Sequence, residues 1–243
     1  MRTLRALFLD IDDTLYSTSE FAATARRNAM EAMIRHGLRM TIEEAMAELY
    51  EVISEFGSNY SFHYDRLLKR LPASRLPEGN RAILVAAAVS AYHDTKYRSL
   101  FPFRDVPQVL RSIHENTDLV VGIITDGLEL KQAEKLVRLG VVEWLDPKAI
   151  FISDQIGISK PNRKLYQRAC ETIGVPPGEC MYVGDHPDHD IVPAKALGMV
   201  AVRHRGSGGK HAAREAATEP DYEISTFHEL IPILRGDFGL LDV

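Results

Sequence analysis

Residues 6–16 read ALFLDIDDTLY, an apolar run that ends on three acids, Asp10, Asp12 and Asp13. Ionised carboxylates this close repel one another unless a positive charge stands among them. Asp10 and Asp12 are two residues apart, so an extended chain turns both to one face. A second acidic stretch, GDHPDHD at 184–190, follows another apolar run and adds Asp185 and Asp190. Asp10, Asp12 and Asp185 form a set of hard oxygen ligands with no His or Cys in it, suited to Mg2+ held with waters and a substrate phosphate. His186 and His189 in the same loop raise a softer metal as an alternative, but a loop of Asp and His beside Mg2+ is the simpler account. Two more stretches complement the acids. TDG at 125–127 offers the Thr125 hydroxyl and the N–H groups of Asp126 and Gly127 where a helix begins, and Lys160 in SKP brings a fixed positive charge. An anion site beside a metal site is what phosphoryl transfer needs.

Each of these groups stands at or beyond the end of an apolar run, and the runs define the elements that position them. Strands are expected at 4–10, 119–125, 149–153, 180–184 and 199–203, with 222–225 a further candidate. They are apolar throughout and do not alternate, as strands of a parallel sheet covered on both faces do. Helical patterns lie between them at 106–115, 128–139, 162–174, 191–197 and 227–235. The alternation predicts a doubly wound α/β fold whose strand ends, and with them the four motifs, share one edge. Between the first strand and the second the pattern is helical only. EFAATARRNAMEAMIRHG is a helix ended by Gly37, TIEE at 41–44 is a capping box, and NRAILVAAAVSAYHDTKY is another helix. The expected domains are therefore a core of 1–16 with 99–243 and a helical insert, 17–98, placed to cap the ligand edge or to serve as a dimerisation arm. The Gly- and Ala-rich segment 205–220 is expected to be a loop followed by an exposed helix.

Bulk properties exclude several classes. The net charge of −5 shows no basic excess of the kind a nucleic-acid binder carries. No apolar run is long enough to span a membrane, and the first strand begins so early that no signal peptide is expected. The two cysteines, Cys170 and Cys180, form no CxxC pair and are expected to be inert, and a cytoplasmic location is expected. Asp13 is expected to start a helix or face solvent, and Trp144 to pack a loop hinge.

Taken in order, DIDDT, TDG, SKP and GDHPDHD resemble the motifs of the haloacid dehalogenase superfamily, and within it the phosphatases whose helical cap follows the first motif. The resemblance covers nearly the whole chain and implies a Rossmann-like core. It implies that Asp10 is the nucleophile, forming an aspartyl-phosphate, and that Asp12 is the general acid and base. It implies that Thr125, Asp126, Gly127 and Lys160 bind phosphate. Mg2+ would be held by Asp10, Asp185 and the Asp12 carbonyl, with Asp190 supporting them or capping the next helix. Two positions depart from the pattern: Asp126, where many members have Asn, and His189, where Asn is common. Asp126 is expected to act mainly through its backbone. Tyr16, Arg26, Tyr92 and His93 are candidates for facing the substrate, a small phosphorylated metabolite. A phosphomutase, a dehalogenase and an inactive phospholigand-binding regulator share the same core. Asp12 and the Asp185 loop argue against the dehalogenase, and the intact motifs argue against the regulator. Monomer and homodimer are both compatible with the sequence.

Overall fold

The computed structural model describes residues 2–206, 211, 213–215 and 217–240. Six parallel strands form one sheet: β1 (Ala6–Leu9), β2 (Val120–Thr125), β3 (Ile150–Ile152), β4 (Cys180–Gly184), β5 (Val200–His204) and β6 (Tyr222–Ile224), in the order β3-β2-β1-β4-β5-β6. The first strand in sequence is thus central: Ala6 pairs with Val120 on one side and with Cys180 on the other. Successive residues turn to opposite faces. Ala6 and Phe8 join Ile124, Phe151, Tyr182 and Ala201 in one buried cluster, while Leu7 and Leu9 are equally buried. Covered on both sides, β1 and β4 have no polar face, which is why they read as continuous apolar runs, while the edge strand β6 exposes Glu223.

The chain divides into two compact units, Met1–Ser19 with Phe101–Val243, and Glu20–Leu100. Four helices lead through the second: α1 (Thr18–Arg35), α2 (Ile42–Phe56), α3 (His63–Arg70) and α4 (Ala82–Ser99). That unit has its own apolar cluster, including Met30, Leu49, Val52, Leu67 and Leu84. Thr41 and Glu44 form the reciprocal capping box at the start of α2, and Arg75 holds Glu44 at 2.9 Å. The short helix α3 carries little sequence signal of its own because only Leu67 and Leu68 are buried.

The first unit adds α5 (Val106–Asn116), α6 (Glu129–Leu139), α7 (Ser153–Ile156), α8 (Arg163–Ile173), α9 (Val192–Ala196) and α10 (Leu230–Phe238). One turn of α7 interrupts what reads in sequence as plain loop. A π turn over Pro187–Ile191 precedes α9, where the sequence pattern has one helix from 191. The helix expected in 205–220 falls partly on 207–210, 212 and 216, outside the described residues; 213–215 and 217–220 are turns, bends and irregular chain. Trp144 is buried in a turn over Val142–Trp144, with the Arg111 guanidinium 5.8 Å from its ring centre. Cys170 and Cys180 are buried and free, their sulfurs 3.7 Å apart. Among the described residues no helix is long and apolar enough to cross a membrane.

Asp13 is buried and faces no solvent. Its φ of 55° is the one positive value at a non-glycine among the described residues. Oδ1 accepts from the N–H of Thr18 at 2.9 Å and of Ser19 at 3.4 Å, while the Asp13 N–H donates to Thr18 Oγ1 at 3.1 Å. The side chain therefore caps the start of α1 and offsets a left-handed backbone that a short polar residue tolerates best. Asp13→Ala is expected to cost about 1–2 kcal/mol in urea unfolding, and Asp13→Asn, which keeps an acceptor and the left-handed tolerance, less than half of that.

Candidate active site

Asp10 directly follows β1, Thr125 ends β2, and Asp185 directly follows β4, so a parallel sheet sets all three along one edge. Lys160 arrives from the loop beyond α7. Its buried ammonium donates to Asp10 Oδ1 at 2.7 Å, to Asp190 Oδ1 at 2.8 Å and to Tyr182 Oη at 2.6 Å. Three N–H bonds meet three acceptors, the full capacity of an ammonium group. Burial alone would lower the Lys160 pKa, but Asp10 and Asp190 outweigh it and hold the group well above the usual lysine value.

Carboxylate oxygens of Asp10, Asp185 and Asp190 lie within 4.8 Å of one another, all buried. Burial and the negative charges of Asp190 and Asp12 raise Asp10 to about 7, against the pull of Lys160. Burial and the charges of Asp190, Asp10 and Asp13 raise Asp185 to about 8. Asp185 Oδ2 is buried without a partner, and so is Thr125 Oγ1. Buried polar atoms are seldom left this way. An all-oxygen set with an orphaned carboxylate fits a hard divalent cation, and the Thr125 hydroxyl fits a phosphoryl oxygen. Asp190 differs from its neighbours because both its oxygens are engaged, Oδ1 by Lys160 and Tyr182 and Oδ2 by the His186 N–H at 2.9 Å. Gly184 has no side chain for a spatial reason: a Cβ there would overlap the Asp190 carboxylate.

Asp12 stands apart from that cluster. Oδ1 accepts from Tyr16 Oη at 2.6 Å and Thr18 Oγ1 at 2.9 Å, and Oδ2 from Gln132 Nε2 at 3.2 Å. Lys135 Nζ lies 2.7 Å from each oxygen. Burial would raise this carboxyl, but Lys135, Tyr16 and Gln132 prevail and hold it below the usual aspartate value.

In the TDG turn, Asp126, expected from the sequence to act mainly through its backbone, also uses its side chain: Oδ1 accepts the Lys160 N–H at 2.9 Å and ties two motifs together. The Gly127 N–H donates to Ser153 Oγ at 3.0 Å. The helix α6 begins at Glu129, beyond both residues. In the last motif, His186 Nδ1 accepts the N–H groups of Asp188 and His189 at 3.2 Å, closing the π turn, and its ring stacks on His189 with centres 4.1 Å apart. Burial, with His211 and His189 beside it, lowers His186 to about 4. A ring nitrogen already spent on backbone N–H groups is poorly placed to serve a soft metal.

Of the candidates for substrate contact, Tyr16 is buried and bonded to Asp12, whereas Arg26, Tyr92 and His93 belong to the helical unit. There the Arg26 guanidinium lies 5.9 Å from the Tyr50 ring centre, Tyr92 meets Phe21 edge-on at 5.9 Å, and His93 is exposed. Sequence reasoning missed Lys135, Gln132 and Tyr182. The first two are three apart on α6, directly after TDG, and therefore share a face. Tyr182 sat inside an apolar strand and passed as core.

A parallel sheet with carboxylates and a buried lysine at its carboxyl edge defines an enzyme on a Rossmann-like core. The chain belongs to the haloacid dehalogenase-like hydrolases, matching that family over residues 4–198. It is 44% identical to the glyceraldehyde 3-phosphate phosphatase of Methanopyrus kandleri over 237 residues, 96% of this chain and 97% of that one. With the glyceraldehyde 3-phosphate phosphatase of Pyrococcus furiosus it shares 37% identity over 241 residues, 98% and 96% of the two chains. A solved phosphatase of the superfamily from Thermococcus onnurineus has the same fold, with a TM-score of 0.68 at 24% identity, covering 96% of this chain and 99% of that one.

The raised carboxyls carry a testable sign. In the unfolded chain both titrate near 3.8; in the folded, metal-free protein they titrate near 7 and 8. Between these values the folded state binds more protons, so their contribution is full below about pH 4 and is lost progressively as pH rises to about 8. In EDTA, Asp185→Asn is expected to melt several degrees above the parent at pH 9 and level with it at pH 4, as followed by thermal unfolding.

Proposed function

We propose that this chain, a phosphoric monoester hydrolase of the haloacid dehalogenase-like family, acts on glyceraldehyde 3-phosphate with Mg2+ through an aspartyl-phosphate on Asp10. The observation that carries the chemistry is the buried Lys160 ammonium joined to Asp10 beside an unpartnered Asp185 oxygen. The substrate rests on near full-length likeness to the two archaeal phosphatases.

Asp10, Asp185 and the Asp12 carbonyl would hold the ion. When bound, Mg2+ supplies the positive charge that lets Asp10 and Asp185 ionise together and draws charge from the phosphoryl oxygens. Thr125 holds the phosphoryl group, with the Asp126 N–H as a further donor, and Lys160 reaches it by exchanging its bond to Asp10 for one to a phosphoryl oxygen. Asp190 keeps Lys160 in place and caps the His186 turn. An Asp10 oxygen attacks phosphorus, the bond from phosphorus to the ester oxygen breaks, and Asp12, ionised beside Lys135 in the free protein, relays to that oxygen the proton brought by the monoanionic phosphoester. Water then attacks phosphorus, Asp12 takes up its proton, and the bond to Asp10 breaks, releasing inorganic phosphate.

The helical unit, inserted between the first motif and the rest of the core, supplies specificity, with Arg26, Tyr92 and His93 as its candidate residues. A phosphoryl group is common to every ester, so selection needs contacts beyond it. A cytoplasmic location belongs to the same reading, supported by two free thiols in the fold.

Phosphate release from glyceraldehyde 3-phosphate is expected in Mg2+, to vanish in EDTA and to return on adding Mg2+. Acid-quench trapping should find labelled phosphate on the parent protein and none on Asp10→Asn. Turnover in metal-free buffer, or label on Asp10→Asn, would contradict the scheme. In the cap, Arg26→Ala and His93→Ala should reorder the specificity constants of three or more sugar and triose phosphates. The same variants should leave p-nitrophenyl phosphate within about threefold, because the discriminating contacts are to the leaving group. A uniform fall across all esters would mean that the insert serves only the fold.

A further inference from the structure

Asp12 meets two kinds of donor. Tyr16 and Thr18 come from its own turn, and both reach Oδ1 alone. Lys135 and Gln132 come from α6, a separate element anchored by buried Leu136 and Leu139. Gln132 reaches Oδ2, and Lys135 spans both oxygens at 2.7 Å. The plane of the carboxylate is therefore set by α6. The Asp12 side chain stays 32% exposed even so, leaving it a face to meet a reacting group, while Lys135 is 17% exposed.

The surroundings are built to this arrangement. Gln132 is buried and its Nε2 also donates to the Asp126 carbonyl. Gly127 has a φ of 136°, and a Cβ there would overlap Gln132 Nε2. The glycine of TDG thus makes room for the amide that holds Asp12. Tight placement matters because proton transfer depends steeply on the distance and direction between the acid and the leaving oxygen.

We infer that Lys135, assisted by Gln132, is a positioning residue that holds the Asp12 carboxyl group in register with the leaving oxygen. The inference rests on Asp12 being the general acid of the proposed reaction. Its consequence falls on leaving groups. A stable phenolate departs with little help, whereas a basic alkoxide or unsubstituted phenolate needs the proton. Substrates that differ in this alone read the acid directly.

The test compares kcat/KM for phenyl phosphate and p-nitrophenyl phosphate, esters of nearly the same shape. This constant reports only the steps up to departure of the leaving group. Asp12→Asn sets the reference and should raise the preference for the nitrophenyl ester by more than tenfold. Lys135→Met should raise it in the same direction, by about tenfold, with Lys135→Arg staying within about threefold of the parent. Gln132→Leu should move it the same way by less, and it carries the test if circular dichroism shows Lys135→Met unfolded. An unchanged ratio in Lys135→Met, or one shifted toward phenyl phosphate, while Asp12→Asn is shifted as expected, overturns the positioning role and leaves the proposed reaction standing. An unchanged ratio in Asp12→Asn overturns both.

Discussion

Gathering Asp10, Asp12, Asp185 and Asp190 at one edge of a sheet concentrates negative charge where water is scarce. Four such groups ionised together in a buried setting would be prohibitive. The molecule answers with two lysines used differently. Lys160 is fully enclosed and spends its three N–H bonds on Asp10, Asp190 and Tyr182. Lys135 sits nearer the surface and neutralises Asp12 alone. Asp185 has neither, and its unpartnered oxygen and raised pKa mark where a third positive charge is wanted.

Much of the surrounding architecture follows from holding Lys160. The lysine comes from a loop after β3, with two strands between β3 and β4, and three groups on other elements secure it. Asp126, at the end of β2, takes its backbone N–H. Tyr182, on β4, takes its ammonium and also donates to the Ile124 carbonyl on β2 at 3.0 Å. Tyr166, on α8, packs edge-on against Tyr182 with ring centres 5.1 Å apart and donates to the His189 carbonyl of the π turn at 2.5 Å. A residue that must stay charged inside the protein is thus tied to the sheet, a helix and the last motif at once. Such satisfied networks rigidify a site, and a broken one exposes an uncompensated charge.

The elements with a period or a cap were legible in the sequence. β1 and β4 appear where apolar runs stand, because burial on both faces leaves no alternation to misjudge, whereas β6, with Glu223 exposed, reads only as a candidate. The Thr41 box marks α2 as its spacing requires. The acids and Lys160 were legible because carboxylates at strand ends have few other uses in combination. The rest was hidden for definite reasons. Gln132 occupies a core-facing helical position, where a polar residue reads as an irregularity until its partner Asp12 is known. Tyr182 reads as strand filling because its hydroxyl target lies on another strand. The π turn has no periodic signature, since His186 makes it by accepting two backbone N–H groups. Pairings across long separations cannot be inferred from either member alone.

The place of β1 carries a consequence for how the molecule comes into being. Its residues are synthesised before those of every other strand of the sheet, yet they form its middle, against Val120 on one side and Cys180 on the other. On a ribosome, ALFL emerges with no edge to join and has no strand partner until β2 has followed. The four helices of Glu20–Leu100 have neighbours close in sequence and their own apolar cluster, so they can condense meanwhile. The order of events is then imposed by topology. The inserted unit matures early, the catalytic edge is assembled only once β4 is available, and a truncated nascent chain would display a sticky apolar strand beside an already folded helical body.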